Sequence, residues 1–183
     1  MKKPKRVMHL DIETSSALDL FKVGVENYSR EPTTKIMLLS AVYDDEPMPQ
    51  QWDFTSGEEP PPSLVSDLLD PDVRKLAWNA RFEYLLISRC WYLDLDLTQW
   101  WCVMAMARSL SFPGSLADAG EAIRLGTDKR KFADGKRLIN KFCKPHPFSK
   151  KCPTGWFTAE SAPEEWLRFK DYNRQDTIAE REI

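Results

Sequence analysis

The chain has 183 residues, with 26 Lys and Arg against 28 Asp and Glu, two His and four Cys. That length buries one sizeable core and is cramped for two, and a composition of 42% hydrophobic and 30% charged residues excludes the disordered, collagen-like and coiled-coil classes. The net charge of −2 conceals a split: residues 129–151 hold nine Lys or Arg and one acid, a local +8 that leaves −10 for the rest. Such asymmetry points to an anionic partner for the basic stretch, and to carboxylates elsewhere that cations could hold together. The basic start resembles a signal n-region, but its apolar run stops at Asp11, and the longest apolar block, Trp100 to Ala107, is far too short to span a bilayer. Cys90, Cys102, Cys143 and Cys152 need no disulfide framework in a chain this long, which suits a reducing cytosol. The spacing of Cys143, His146 and Cys152 matches no standard zinc site.

In chain order, Val7 to Ile12 reads as a buried strand, and Ile36 to Tyr43 as a second, ended by the turn Asp44-Asp45-Glu46-Pro47. A third, around Gln51 to Phe54, pairs antiparallel with the second. After the Pro60-Pro61-Pro62 breaker, Ser63 is placed to cap a short helix through Leu69. Lys75 to Trp78 reads as a strand, Arg81 to Cys90 as a helix, and Trp100 to Cys102 as a strand leading into a helix through Leu110. Phe112-Pro113-Gly114 breaks that helix and Ser115 caps the next. Lys129 to Cys143 has helical character, followed by a loop around Pro145, Pro147 and Pro153. Ser161 with Glu164 forms a capping box for the last helix, with Pro163 in its first turn. Three strands followed by strand-helix alternation predict an α/β fold with a mixed sheet.

Acidic residues recur in three of these settings. On the first strand, Asp11 and Glu13 point to one face while Leu10 and Ile12 point to the other. Two like charges so placed are tolerable with a divalent cation between them, although an Asp-x-Glu tripeptide is common and Glu13 could equally lie past the strand end. Glu83 opens a helix behind Asn79, an ordinary N-cap residue, and an acid is favoured there by the macrodipole alone. On the final helix, Phe169, Tyr172, Asp176 and Ala179 share a face, and Trp166 with Phe169 marks that face as buried, so Asp176 requires a partner. An Arg or a metal ion would serve.

In combination, Asp-x-Glu on a first strand, Asn-x-x-Phe-acid on a helix and Tyr-x-x-x-Asp on the last helix resemble the three motifs of the DEDD exonucleases, which have the ribonuclease H-like fold. More narrowly, the segments LAWNARFE, ARSLSFPGSL, DKRKFADGKRLINKFCKP and DYNRQDTIAERE resemble the 3′-to-5′ exonuclease domain of bacteriophage-type family A DNA polymerases. The resemblance covers nearly the whole chain, and the domain it implies is residues 1–183. Tyr172 selects the tyrosine subgroup, since the histidine of the other would stand where this chain has Asp171. One departure is Glu83, where the general pattern has Asp.

The resemblance implies a ribonuclease H-like, five-stranded mixed sheet flanked by helices, and a domain belonging to a longer polymerase chain. It also implies two divalent cations, Mg²⁺ or Mn²⁺, of the kind that clamp attacking and leaving oxygens about 3.5–4 Å apart. Asp11 would bridge them, Glu13 and Asp176 would hold the ion that activates water, Glu83 would hold the other, and Tyr172 would orient the water. The expected reaction releases nucleoside 5′-monophosphates from the 3′ end of single-stranded DNA, in proofreading, in the cytoplasm of a bacterial host. Lys129, Arg130, Lys131, Lys136 and Arg137, with Asn79, are the expected strand-binding residues, and Trp52, Phe54, Phe112 and Phe148 could stack on bases. A ribonuclease of the same DEDD type and a catalytically weak single-strand-binding module use these same residues.

Overall fold

Ten residues of mostly buried, extended chain form β1 (Arg6–Ser15), the centre of the sheet in this computed structural model, which describes residues 4–126 and 134–183. The remaining strands are β2 (Lys35–Tyr43), β3 (Gln50–Asp53), β4 (Val73–Ala77) and β5 (Trp100–Cys102). Their order is β3-β2-β1-β4-β5, with β1, β2 and β3 antiparallel in succession and β4 and β5 parallel to β1. This is the ribonuclease H-like mixed sheet expected from the sequence. The helices are α1 (Leu20–Arg30), α2 (Pro62–Leu69), α3 (Ala80–Cys90), α4 (Val103–Ser109), α5 (Leu116–Ala122), α6 (Gly135–Phe142) and α7 (Pro163–Glu182). No described helix is long and apolar enough to cross a membrane.

Alternation along β1 divides the molecule. Met8, Leu10 and Ile12 join Leu39, Ala41 and Tyr43 of β2 in the main core, closed by Leu64 and Leu68 of α2 and by Leu86 and Ile87 of α3. The opposite face of β1 carries His9, Asp11 and Glu13, and α7 lies over it and β2. Beside that polar stripe, Leu38 of β2 packs with Leu138 and Phe142 of α6 and with Trp166, Phe169 and Tyr172 of α7. A bulge between Glu13 and Thr14 shifts the β1–β2 register just beyond the second acid.

Three local expectations need correction. Residues 20–30, read as no element, form α1, which Asp19 caps by accepting from the Phe21 amide at 3.0 Å. Gly24 interrupts this helix at φ +74°, so the apolar residues on either side do not share one 3.6-residue period and the helix leaves no clean pattern. Ser161 does not cap α7. Its hydroxyl accepts from the Thr158 amide at 2.8 Å, closing the preceding turn, and the helix begins on Pro163, which has no N–H to satisfy. In the same way α2 begins on Pro62 and not behind a Ser63 cap. Asn79 does stand at the N-cap of α3, but without a side-chain cap bond. Of the expected basic helix, Gly135–Phe142 form α6, and Lys129, Arg130 and Lys131 lie outside the described residues.

Candidate active site

The carboxyl ends of the parallel strands β1 and β4 open on the same side of the sheet, the usual position of a site in sheets of this kind. β1 delivers Asp11 and Glu13, the turn after β4 delivers Glu83 in the first turn of α3, and α7 lies across β1 with Tyr172 and Asp176 one helical turn apart. Glu13, Glu83, Tyr172 and Asp176 are all buried. Three elements distant in sequence thus bring the four predicted acids and the predicted tyrosine into one region.

Their mutual influence locates them. Burial, and then Asp176, Glu13 and Asp11 in that order, push the Tyr172 phenol far above its ordinary range, and its hydroxyl hydrogen-bonds Asp176. Burial followed by the facing Asp11 likewise pushes Glu83 well above the usual carboxyl range. Its Oε2 is buried with no hydrogen-bond partner among the described residues. Such an oxygen is costly unless a proton or a cation meets it. At Glu13, the buried Cys143 thiol donates weakly to Oε2 at 3.9 Å, and burial together with Glu13 holds that thiol protonated. Among the described residues no group of three His, Cys, Asp or Glu side chains is arranged as a ready metal cage.

Five residues that sequence reasoning passed over, Asn173, Gln51, His9, Glu180 and Gly135, surround this region. Asn173, fully buried, donates to Asp11 Oδ2 at 2.8 Å and to the Asp11 carbonyl at 3.1 Å. Gln51 on β3 donates to Asn173 Oδ1 at 2.9 Å. His9 is held between Glu180 at 3.0 Å from Nδ1 and Asp44 at 3.0 Å from Nε2. Burial opposes protonation of this imidazole, but the two acids outweigh it and its pKa is raised. Gly135, at the start of α6, packs so close to Tyr172 that a Cβ there would fall well inside contact distance of the ring. Asn173 and Glu180 were open to discovery, since they lie next to Tyr172 and four residues beyond Asp176 on the same helix. Gln51 carries no local signal, because only the sheet brings β3 under α7.

The predicted strand-binding residues are differently placed. Asn79 is exposed beside Glu83. Lys136 and Arg137 are exposed on α6, but Arg137 pairs with Asp134 at 3.1 Å and with Glu165 of α7, which also pairs Lys141. Of the four aromatics proposed to stack, Phe148 is exposed, Phe54 packs edge-on to Trp91 with centroids 5.3 Å apart, and Phe112 lines a small cavity beside His9 and Glu180. Trp52 lines a groove of about 1000 Å³ that also meets Lys35, Gln51, Trp156, Phe157 and Trp166. Ser15, two residues past Glu13 in the chain, also lines the groove.

No protein-family model matches the chain. It is 35% identical over 181 residues to a DNA polymerase of Bacillus phage SP02, an alignment that takes in 97% of this chain and 27% of the polymerase. The chain therefore spans about a quarter of that relative's length. A solved structure described as the apo form of the nuclease superposes with a TM-score of 0.50 at 14% identity, covering 98% of this chain and 70% of that one. At that identity the likeness is one of fold.

Proposed function

We propose that this chain is the metal-dependent 3′-to-5′ exodeoxyribonuclease domain of a longer phage-type DNA polymerase, and that Asp11, Glu13, Glu83, Asp176 and Tyr172 carry out the reaction. The observation that carries the reading is the convergence of Asp176, Glu13 and Asp11 on the Tyr172 phenol, with Glu83 buried against Asp11. A simple structural role does not account for so many acids in one buried place, since each raises the cost of ionising the others. The phage polymerase relative supports the assignment to a polymerase chain.

The donor set is entirely oxygen, which suits Mg²⁺ or Mn²⁺, and the unsatisfied Glu83 Oε2 is an oxygen of the kind such an ion takes. Asp11, Glu13, Glu83 and Asp176 would hold two of these ions, which when bound supply the charge that acidifies water and offsets the leaving oxygen. Tyr172 donates its hydroxyl hydrogen to Asp176, leaving its oxygen lone pairs to accept from water and orient it toward the terminal phosphodiester. Attack by that water on phosphorus breaks the bond to the 3′ oxygen of the preceding nucleotide. The products are a nucleoside 5′-monophosphate and a strand one residue shorter with a free 3′ hydroxyl. Trp52 and Trp156, which line the groove and are half-buried, would offer faces for unpaired bases to stack on.

The test is a time course on 5′-labelled single-stranded DNA with Mg²⁺ or Mn²⁺, with matched RNA beside it. Shortening from the 3′ end is expected, stopped by EDTA, reduced to background in Asp11→Ala and weakened less in Tyr172→Phe. Cleavage by the Asp11 variant at the wild-type rate sinks the assignment, and preference for RNA moves the domain to the ribonuclease reading.

A further inference from the structure

We infer that Asn173, oriented by Gln51, is a positioning residue that fixes the Asp11 carboxylate for catalysis, which makes the edge strand β3 part of the machinery. The inference rests on the exonuclease reading above. The direction of each hydrogen bond from Gln51 through Asn173 to Asp11 is set by one group that can only accept. Gln51 Nε2 donates to the Lys170 carbonyl of α7 at 2.7 Å, so the nitrogen end of the Gln51 amide must face the helix. The same nitrogen lies 2.9 Å from Asn173 Oδ1, which therefore accepts. Asn173 Nδ2 is thereby turned toward β1, where it donates to Asp11 Oδ2 at 2.8 Å and to the Asp11 carbonyl at 3.1 Å.

Reversed, the Asn173 amide would set its oxygen against the carboxylate and its nitrogen against Gln51, losing bonds at both ends. Asn173 is fully buried, so water does not compete for its donors. Anchoring Oδ2 and the main chain of one residue together fixes the carboxylate plane, and with it the direction of Oδ1. Partners that orient ligating carboxylates in this way are worth about 10–100-fold in metal affinity or activity.

The experiment compares the wild type with Asn173→Ala, Asn173→Asp, Gln51→Leu and the double variant Asn173→Ala/Gln51→Leu. The readouts are kcat and KM on single-stranded DNA, Mn²⁺ affinity by calorimetry, and thermal melting. Expected results are a fall of about 10–100-fold in kcat for Asn173→Ala with KM little changed, and a parallel loss of Mn²⁺ affinity. Asn173→Asp keeps the shape but opposes two carboxylates, so it should be worse than Ala. Gln51→Leu should cost several-fold alone and nothing further in the double variant, since the relay is already cut. Wild-type kcat and Mn²⁺ affinity in Asn173→Ala overturn the inference, as do losses that simply multiply in the double variant. If Asn173→Ala does not fold, Gln51→Leu at the half-buried sheet edge decides, and an unchanged kcat there overturns it. A wild type that cuts, with Asp11→Ala inactive, keeps the exonuclease reading whatever Asn173 does. A wild type that neither binds Mn²⁺ nor cuts overturns both.

Discussion

Glu83 stands where the helix macrodipole favours a negative charge, yet burial and Asp11 hold its carboxyl well above the usual range. Replacing it with Gln removes the repulsion and keeps the shape. Glu83→Gln should therefore melt above the wild type in EDTA and gain less from added Mn²⁺, a pair of shifts readable in one calorimetric series. Gly135 makes a different demand, for space: Gly135→Ala forces the Tyr172 ring out of place and should cost about 1–3 kcal/mol in denaturant unfolding, with turnover falling alongside. Lys75, far from the acids on the core face of β4, gives a pH test. Burial pushes its ammonium down to about 8 from 10.5, against a partial offset from Asp70, Asp67 and Asp96. Between those values the unfolded chain keeps a proton the folded one has released, so stability contributed at Lys75 rises with pH through that window. The difference in unfolding free energy between wild type and Lys75→Met should rise from pH 8 to 10.5 by at most about 1.4 kcal/mol per pH unit. A flat difference would mean that Lys75 keeps its ordinary pKa.

Among elements, α7 does the most, because one helix carries both an apolar anchor and a polar stripe. Trp166 and Phe169 pack with Phe142 of α6, while Asn173, Asp176 and Thr177 face the strands. Its exposed side meets α6 through Glu165, which pairs Arg137 and Lys141 and so neutralises part of the basic stretch. Exposed pairs of this sort add about 0–1 kcal/mol to stability, so their greater effect is on what the cations are free to bind. Glu165→Gln should leave melting nearly unchanged. If α6 lies on the strand path, it should steepen the dependence of log affinity for single-stranded DNA on log salt by about 0.7, for Lys141 released to a phosphate, since Arg137 keeps its pairing with Asp134. An unchanged slope would take α6 off the path. The same scale shows why α1 escaped sequence reading and α3 did not. Gly24 breaks the period of α1, whereas Ala80, Glu83, Leu86 and Ile87 of α3 recur at helical spacing on one buried face.

For the whole molecule, the arrangement follows from a single alternating strand. β1 gives its even-numbered residues to the main core and its odd-numbered ones to the acids, so the core and the site are two faces of one sheet. Any ligand that binds the acids in the folded state stabilises the entire domain, and saturating Mn²⁺ at 100 times its dissociation constant should add about 2.7 kcal/mol to unfolding. Periodicity and breakers were enough to determine the α/β class and the five strands, because these signals are local, while the family resemblance in motif order singled out Asp11, Glu13, Glu83, Tyr172 and Asp176 as the candidate set. Only the tertiary structure decided which neutral groups stand against these residues. Gln51 reaches Asn173, and Gly135 reaches Tyr172, across 122 and 37 residues of chain, and a hydrogen bond or a close approach over such a span leaves no periodicity to read. It likewise decided that Arg137 and Lys141 are already paired, since the charge of a segment is written in its sequence but the acid that neutralises it is set by packing.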